Sequence, residues 1–311
     1  MKIVEKIINL EKSNSIPENS LFLDIETTGF SRERGRIYLI GTLSKENNQF
    51  IFRQFMTQES WEEKELLKLF KEYLEKYETL ITFNGESFDF NFIEKRAQRY
   101  HIDIDFSNFK SIDIFKKVKT KSFFMEFDNY KLKTLEKFIG IYREDIFSGG
   151  DLISLYYEYE NGNKDPRLEQ TLLLHNEEDI LNLPRLFQLL DILKEKNTIY
   201  INENHFEISK INITKRKLEI QGYTNIAMGY LEKDLKKLSI ENKEFVFSTL
   251  IYEDNYNEDL KCLYTEKDDY NLVCKYNIES PNEIFILKFD KQILYFNIKT
   301  LFEGFLNNVF N

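Results

Sequence analysis

The sequence predicts a mixed α/β domain followed by a smaller, β-rich domain. Between residues 21 and 193, short apolar runs typical of buried strands alternate with segments of helical period. Beyond about Thr198, short strand-like runs are separated by turns of Asn, Asp and Lys. We therefore predict an α/β domain at residues 1–197, with a mixed five-stranded sheet flanked by helices, and a β-rich accessory domain of unassigned role at residues 198–311.

The first domain reads as three antiparallel strands followed by strand, helix, strand and helix, an order that predicts helices on the faces of a mixed sheet. The hydrophobic face of the first helix includes Trp61, and Pro184 is expected to interrupt the last helix. The predicted strands are residues 21–25, 36–43, 49–55, 79–83 and 111–115, and the predicted helices are residues 61–77, 88–100, 131–138 and 168–196.

The second domain is predicted from β-rich runs and one helical segment. The runs lie within residues 205–223, 244–252, 270–278 and 283–298, and the helix lies near residues 300–310.

Composition narrows the class of protein. The chain has 311 residues, 42% of them hydrophobic, and contains no run of about 18 apolar residues that could span a membrane. Its first residues lack the apolar stretch of a signal peptide, and Cys262 and Cys274 fit no metal or redox motif, so we expect a cytoplasmic protein with reduced thiols. A net charge of −10 argues against a passive nucleic-acid coat, but an enzyme needs only a local positive track.

The strongest chemical signal is Asp24-Ile25-Glu26 at the end of the first predicted strand. Side chains at i and i+2 of a strand share a face, so Asp24 and Glu26 project together. Two adjacent carboxylates repel each other unless a cation lies between them, and hard oxygen ligands suit Mg²⁺ or Mn²⁺. A solvated strand end is the alternative, although a lone carboxylate in an apolar strand would be costly to bury.

A second carboxylate, Asp89, lies in the first turn of the helix that follows Asn84-Gly85. A ligand role competes here with a simpler one. Asp89 could be a favourable negative charge at a helix N-terminus, with Ser87 as the capping residue.

The third element places His175 and Asp179 one turn apart on a long helix. A titratable base beside a carboxylate is a natural site for activating water near a metal ion. The alternative is a surface histidine in an acidic cluster.

Together the three elements resemble the DEDD 3′–5′ exonuclease superfamily, which carries a first-strand Asp-x-Glu, an Asp at a later helix start and a helical His or Tyr before a final Asp. The flanking segments are similar to the YprB-like branch with a ribonuclease-H-like fold; they are residues 79–89, 130–141, 148–159 and 175–183. The resemblance covers about residues 18–195.

The resemblance implies a two-metal, in-line displacement at a phosphodiester, with Mg²⁺ or Mn²⁺ as cofactors. It implies that Asp24 bridges both ions, that Glu26 and Asp179 complete one, and that Asp89 holds the other. It also implies that His175 orients or deprotonates the attacking water. One feature departs from the family: the histidine branch usually has four residues between His and Asp, whereas this chain has the three that are typical of the tyrosine branch.

Nucleic acid is the implied substrate. The resemblance places Thr27 at the terminal 3′-hydroxyl and Phe30 as an apolar wedge against the end bases, although Phe30 could equally be a core residue. We add Asn84 and two basic residues, Lys131 and Lys133, as substrate contacts. These lysines belong to a basic, aromatic-rich stretch whose lysines can meet phosphates, while most of its aromatic residues are expected in the core. That stretch includes Lys110, Lys116, Lys117, Lys119, Lys121, Lys137, Phe115, Phe123, Phe124, Phe127 and Tyr130.

The predicted function is therefore metal-dependent 3′–5′ exonuclease activity on single-stranded or frayed DNA or RNA. A structure-selective endonuclease and a non-catalytic nucleic-acid-binding protein remain alternatives. The sequence names no protein partner and does not separate DNA from RNA, because recognition of a 2′-hydroxyl takes one or two contacts that have no motif.

Overall fold

A computed structural model of the protein describes residues 1–9, 16–46, 49–145, 147–162, 164–233, 235–267 and 272–310. The chain divides into two compact units. The first comprises Met1–Lys119 and Phe127–Leu190, and the second comprises Thr120–Glu126 and Asp191–Asn311.

The first unit is built on a mixed sheet with helices around it, which confirms the predicted fold class. Its strands are β1 (Lys2–Ile8), β2 (Ser20–Thr27), β3 (Ile37–Glu46), β4 (Gln49–Met56), β5 (Thr79–Thr82) and β6 (Lys110–Asp113). Its helices are α1 (Glu63–Leu74), α2 (Asp89–Arg99), α4 (Leu132–Phe138) and α5 (Gly149–Asn161), while α3 (Ile114–Lys121) and α6 (Pro166–Asn197) begin in this unit and end in the second.

Among the described residues, the order across this sheet is β1-β4-β3-β2-β5-β6. The first four strands pair antiparallel, and β2, β5 and β6 pair parallel. The carboxyl ends of the three parallel strands therefore meet at one edge of the sheet. β2, in its centre, is buried along almost its whole length. Leu21, Leu23 and Ile25 on one face belong to a hydrophobic cluster with residues of α1 and α2, whereas Asp24 on the other face contacts Asn176 of α6.

The described sheet has six strands rather than the five predicted, because β1 pairs along its whole length with β4. In β1 the charged and apolar residues come in pairs and do not alternate strictly, so its sequence carries a weak strand signal. Two other expectations are wrong. Trp61 lies in a short turn before α1 and is 71% exposed, and α6 continues through Pro184 without ending.

The second unit is β-rich, as predicted. Its strands are β7 (Thr198–Ile201), β8 (Asn204–Ile213), β9 (Lys217–Thr224), β10 (Met228–Lys233), β11 (Lys236–Glu241), β12 (Glu244–Leu250), β13 (Tyr252–Asn255), β14 (Lys261–Glu266), β15 (Ile284–Phe289) and β16 (Gln292–Ile293). β7 to β12 form one antiparallel sheet and β13 to β16 another, and α7 (Tyr295–Phe310) contributes phenylalanines and leucines to their core.

Two predictions in this unit are wrong. Residues 272–278 form no strand, and residues 270–271 of that run lie outside the described part. The C-terminal helix begins at Tyr295, so most of the run after Gln292 is helical rather than extended. No helix in the described ranges combines the length and the apolar character that crossing a membrane requires.

Candidate active site

Asp24 and Glu26 lie on β2, where their side chains share one face. Glu26 is only 8% exposed, so this is not a solvated strand end. Burial, with the negative charge of nearby carboxylates, raises the pKa of the Asp24 carboxyl well above its ordinary value. The same causes raise the pKa of Glu26, although the Arg143 guanidinium opposes them. The ionised forms of both residues are therefore destabilised, and a bound cation would stabilise them.

Asp89 is the first residue of α2, and a hydrogen bond fixes it to β2. Its Oδ1 accepts the backbone N–H of Ile25 at 3.0 Å. Burial raises the pKa of Asp89 to about 7, even though backbone hydrogen bonds act in the opposite direction. Ser87, the possible cap in the alternative interpretation of Asp89, does not cap the helix: Phe88 holds the N-cap position, and no side-chain capping hydrogen bond forms there. Asp89 is thus more than a helix-terminal charge, since its carboxylate ties the helix start to the strand that carries Asp24.

His175 and Asp179 lie one turn apart on α6, and the histidine ring faces the carboxylates of β2. Its Nε2 lies 3.5 Å from Asp179 Oδ2 and 3.6 Å from Glu26 Oε1. Its Nδ1 lies 2.7 Å from Asp145 Oδ2. Because His175 is 5% exposed, the alternative of a surface histidine is excluded.

These side chains line one cleft of about 570 Å³. The residues around it are Asp24, Ile25, Glu26, Phe83, Asn84, Phe88, Asp89, Lys131, Leu132, Lys133, Arg143, Phe147, Ser148, Gly149, Asp151, His175 and Asp179. Within it, one donor atom each from Glu26, His175 and Asp179 lies within 4.8 Å of the others. Several buried carboxylates that raise one another's pKa make an oxygen-rich donor set, and this chemistry fits a divalent cation.

Arg143 is a site residue that the sequence analysis missed. Its guanidinium is buried, forms a two-pronged ion pair with Glu136 at 2.5 and 2.6 Å, and also pairs with Asp179 Oδ1. Burial lowers the pKa of Arg143, but the hydrogen bonds to Glu136 and the charge of Asp179 outweigh it, so that the pKa is raised. Arg143 therefore stays charged and partly neutralises the cluster. It lies 36 residues from Asp179, so no local pattern could have revealed the pair.

Asp145 was also missed, although it orients the histidine. It accepts hydrogen bonds from Lys133 Nζ at 2.9 Å and from the Phe147 backbone N–H at 3.0 Å. These bonds lower its pKa by more than burial raises it. Glu178, on the same helix as His175, accepts the backbone N–H groups of residues 144 and 145, both at 2.9 Å. The loop is thus anchored to the helix that it serves.

A row across the sheet holds Asp24 in place. Asp24 on β2 is opposite Gly41 on β3, which is opposite Gln54 on β4. Asn176, fully buried on α6, lies against Gly41, where a Cβ atom would be 2.0 Å from its Oδ1. Its Nδ2 donates to Asp24 Oδ2 at 3.0 Å, and its Oδ1 accepts from Gln54 Nε2 at 3.0 Å. Glycine is therefore needed at position 41 so that the amide can reach Asp24.

Asn84 follows β5 in a left-handed conformation, with φ of 66°. Its backbone N–H donates to Asp113 Oδ1 at 2.9 Å. Asp113, at the end of β6, also accepts the N–H of Glu86 at 3.3 Å and that of Lys116 at 3.1 Å. Asp113 is thus both a buried strand-end carboxylate and a cap of α3, and it shapes the turn that leads to Asp89.

The other predicted substrate contacts occupy different environments. Thr27 is buried and its hydroxyl donates to the Gly29 carbonyl at 3.0 Å. Phe30 is 80% exposed, which excludes a core role, and its ring meets Phe88 edge-on at 6.5 Å between centroids. Lys131 and Lys133 line the cleft, but Lys133 is engaged with Asp145.

Much of the basic, aromatic-rich stretch is structural, as expected. Phe124 is buried in the core of the second unit, and Phe123 packs against that core. Phe127 packs against Tyr130 and Phe138.

Comparison with known proteins gives short or distant matches. A 43-residue stretch is 46% identical to a DNA polymerase of Methanocaldococcus jannaschii, and it covers 14% of this chain and 3% of the polymerase. The structure of the family B DNA polymerase from Pyrobaculum calidifontis matches 58% of this chain and 25% of that chain, with 15% identity and a TM-score of 0.45. Brucella melitensis NrnC matches 59% and 77% of the two chains, with 17% identity and a TM-score of 0.35.

A family model gives the broader match. The RNase_H_2 model, described as RNase_H superfamily, matches residues 21–191, a range that contains all the strands of the first sheet except β1 and every residue of the cleft. Since this range is more than half of the chain, the protein belongs to the RNase_H superfamily.

Proposed function

We propose that this protein is a metal-dependent 3′–5′ exonuclease of the DEDD type, in the YprB-like branch, acting on single-stranded or frayed DNA or RNA. One observation carries the proposal. Carboxylates from three separate elements, with a buried histidine, converge on a single cleft although their mutual repulsion raises their pKa values. A protein that only bound nucleic acid would have no need for this repulsion, since basic side chains alone would serve.

The residues that would hold two divalent ions, Mg²⁺ or Mn²⁺, are Asp24, Glu26, Asp89 and Asp179. When bound, the ions supply positive charge against the attacked phosphate and the leaving oxygen. Arg143 holds one oxygen of Asp179, so that carboxylate has a fixed orientation before any ligand arrives.

His175 would act on the attacking water. In this proposal Asp145 fixes the ring through Nδ1, and Nε2, which faces Glu26 and Asp179, orients the water or takes its proton. The water oxygen then forms a bond to phosphorus while the bond from phosphorus to the 3′ oxygen of the preceding nucleotide breaks. That oxygen takes a proton from solvent, and a 5′-mononucleotide leaves.

The substrate end would be held beside the carboxylates. Phe30 is exposed enough to stack on a terminal base, and Lys131 lines the cleft as a candidate phosphate contact. Thr27 would approach the 3′-hydroxyl through its backbone, since its side chain is bonded to Gly29. A cytoplasmic location is part of the proposal.

The test compares end-labelled linear oligonucleotides with a circular single strand, in matched DNA and RNA forms, with Mg²⁺ or Mn²⁺. We expect a ladder of single-nucleotide steps from the 3′ end and no cleavage of the circle. Asp24→Asn should abolish hydrolysis, whereas Asp105→Asn, which removes the same charge at an exposed turn, should not. Cleavage of the circle would favour the endonuclease alternative. Binding without hydrolysis under every metal condition would leave a non-catalytic binding protein.

A further inference from the structure

The two nitrogens of His175 have different surroundings. Nδ1 is paired with Asp145 at 2.7 Å, whereas Nε2 makes no hydrogen bond with any described residue and points between Glu26 and Asp179. Only 7% of the side chain is exposed, and His175 lines the cleft together with Glu26 and Asp179. A ring nitrogen that has no hydrogen-bond partner in the described ranges and lies beside two carboxylates is available to a ligand bound in that cleft.

The separations of these atoms match those of ligands on one ion. Nε2 lies 3.5 Å from Asp179 Oδ2 and 3.6 Å from Glu26 Oε1. Both are longer than an ordinary N–H···O hydrogen bond of about 2.7–3.2 Å. Ligands held at about 2.0–2.2 Å in a tetrahedral arrangement are separated by about 3.3–3.6 Å. The ring nitrogen is therefore spaced from each of the two oxygens as ligands of a single metal ion are, and one ligand atom from each of the three residues lies within 4.8 Å of the others.

The support behind the ring is also that of a metal ligand. Histidines that bind metals usually donate their other ring N–H to a carboxylate, which fixes the ring and makes the binding nitrogen more basic. Asp145 takes this position at His175, and it is itself held by Lys133 and by the Phe147 backbone N–H. The loop that carries Asp145 is itself anchored to α6 by Glu178, so the orienting carboxylate is held in place from several sides.

We infer that Nε2 of His175 is itself a ligand of the ion that Glu26 and Asp179 hold, and that this site takes a divalent transition ion in preference to Mg²⁺. The inference deepens the proposed function and rests on it for the presence of a metal, but it gives the histidine a different role. Imidazole suits transition ions, whereas Mg²⁺ prefers oxygen and near-ideal octahedral geometry. Because the other donors are oxygens, Mn²⁺ is the ion that we choose as the probe.

The unusual spacing on α6 fits this role. His175 and Asp179 are separated by one helical turn, so both can reach the same ion from one face. Nε2 would then be occupied, and the attacking water would have to lose its proton to another base.

The experiment is pulsed EPR on Mn²⁺ bound to the full chain, in which a ligated imidazole nitrogen appears as ¹⁴N modulation. The sequence has three histidines, so variants can assign the signal. We expect modulation in the wild type and in His205→Gln, whose histidine lies in the second unit, and none in His175→Phe. Calorimetry should show that Mn²⁺ affinity falls by at least roughly 10–100-fold in His175→Phe, because that is the usual loss when only a residue that orients a ligand is removed. The affinity for Mg²⁺ should change much less.

Asp145→Asn provides a second variant that retains the ring. It should keep the ¹⁴N modulation and lower Mn²⁺ affinity by roughly 10-fold or more. Bound Mn²⁺ without ¹⁴N modulation in the wild type, or no Mn²⁺ binding, overturns the inference. Oligonucleotide hydrolysis is measured in parallel with Mg²⁺. Hydrolysis without ¹⁴N modulation leaves the proposed function standing, and modulation without hydrolysis with either ion overturns the proposed function alone.

Discussion

Replacing Asp89 with Asn should stabilise the metal-free protein at neutral and alkaline pH. Asp89 is buried, and burial raises its pKa from 3.8 to about 7. Asn keeps an oxygen that can accept the Ile25 N–H, which Asp89 Oδ1 now accepts at 3.0 Å, and it removes the charge. The substitution therefore separates the electrostatic cost of the carboxylate from its hydrogen bond.

The sign and size follow from linkage. Below about pH 4 the carboxyl is protonated in both the folded and the unfolded chain, and the group costs nothing. As the pH rises from about 4 to 7, only the unfolded chain ionises freely, so the free energy of unfolding falls. Above pH 7 the loss is complete and amounts to at most about 4 kcal/mol, at 1.36 kcal/mol per pH unit of difference. Asp89→Asn should escape this loss, so its advantage over the wild type should grow between pH 5 and pH 8.

The assay is urea unfolding of both proteins in EDTA at pH 5 and pH 8, repeated with saturating Mg²⁺. Mg²⁺ should stabilise the wild type by about 2.7 kcal/mol at one hundred times its dissociation constant, and it should stabilise the variant less. Asp113→Asn is the matched control, because Asp113 is equally buried but accepts three backbone N–H groups. It should lose stability at both pH values. A difference between Asp89→Asn and wild type that is the same at pH 5 and pH 8, or that favours the wild type at pH 8, would refute the reasoning.

Four further outcomes are expected. Gly41→Ala should lower turnover by about 10²-fold, the cost of a misplacement of about 1 Å, because its Cβ would displace Asn176 from Asp24. Its control in circular dichroism and turnover is Gly229→Ala on β10 in the second unit, where the added atom would meet only the Ile240 side chain, at 3.7 Å. Arg143→Ala should destabilise the protein by about 3–5 kcal/mol in urea unfolding, because it leaves buried Glu136 unpaired, and an unchanged midpoint would contradict this. Phe30→Ala should weaken single-strand binding by about 1–3 kcal/mol in fluorescence anisotropy without changing stability, because the ring is exposed. Residues 1–197 should fold alone and hydrolyse short oligonucleotides, since every residue of the cleft lies in the first unit. The fragment carries Phe124→Ser, because Phe124 packs in the core of the second unit and its ring would be exposed without it. If circular dichroism shows this fragment to be unfolded, the domain boundary lies elsewhere.

The parts of the fold that sequence predicted are those with strong local signals. β2 and α2 carry the apolar patterns of buried elements. Two of the residues that the motifs singled out lie on them, Asp24 within β2 and Asp89 at the start of α2. β1 could not be predicted because its stability comes from pairing with β4 rather than from its own pattern. For Trp61 a local pattern was misleading. Helical periodicity placed it on the hydrophobic face of the first helix, but it lies before the start of α1 and is exposed.

The candidate site was predictable only for residues with chemistry of their own. Asn176 was within the quoted motif yet remained unassigned, because an amide becomes informative only when Gly41 and Gln54 are known to lie in register beside it. Asp145 and Arg143 lie in a loop with no periodicity, and the site residues that they contact, His175 and Asp179, are 30 and 36 residues away. Contacts of this kind are set by tertiary packing, and a single sequence carries no signal for them.

The supporting residues explain how a cluster of repelling carboxylates keeps a fixed geometry. One oxygen of Asp24 is held by Asn176, and one oxygen of Asp179 is held by Arg143. In each case the other carboxylate oxygen has no hydrogen bond from the described residues. A ligand that binds there meets oxygens already oriented, so little ordering is needed on binding. The orienting groups, the Asn176 amide and the Arg143 guanidinium, are held by their own neighbours. A substitution at such a neighbour, for example Gly41 beside Asn176, should therefore alter activity although the neighbour does not touch the substrate.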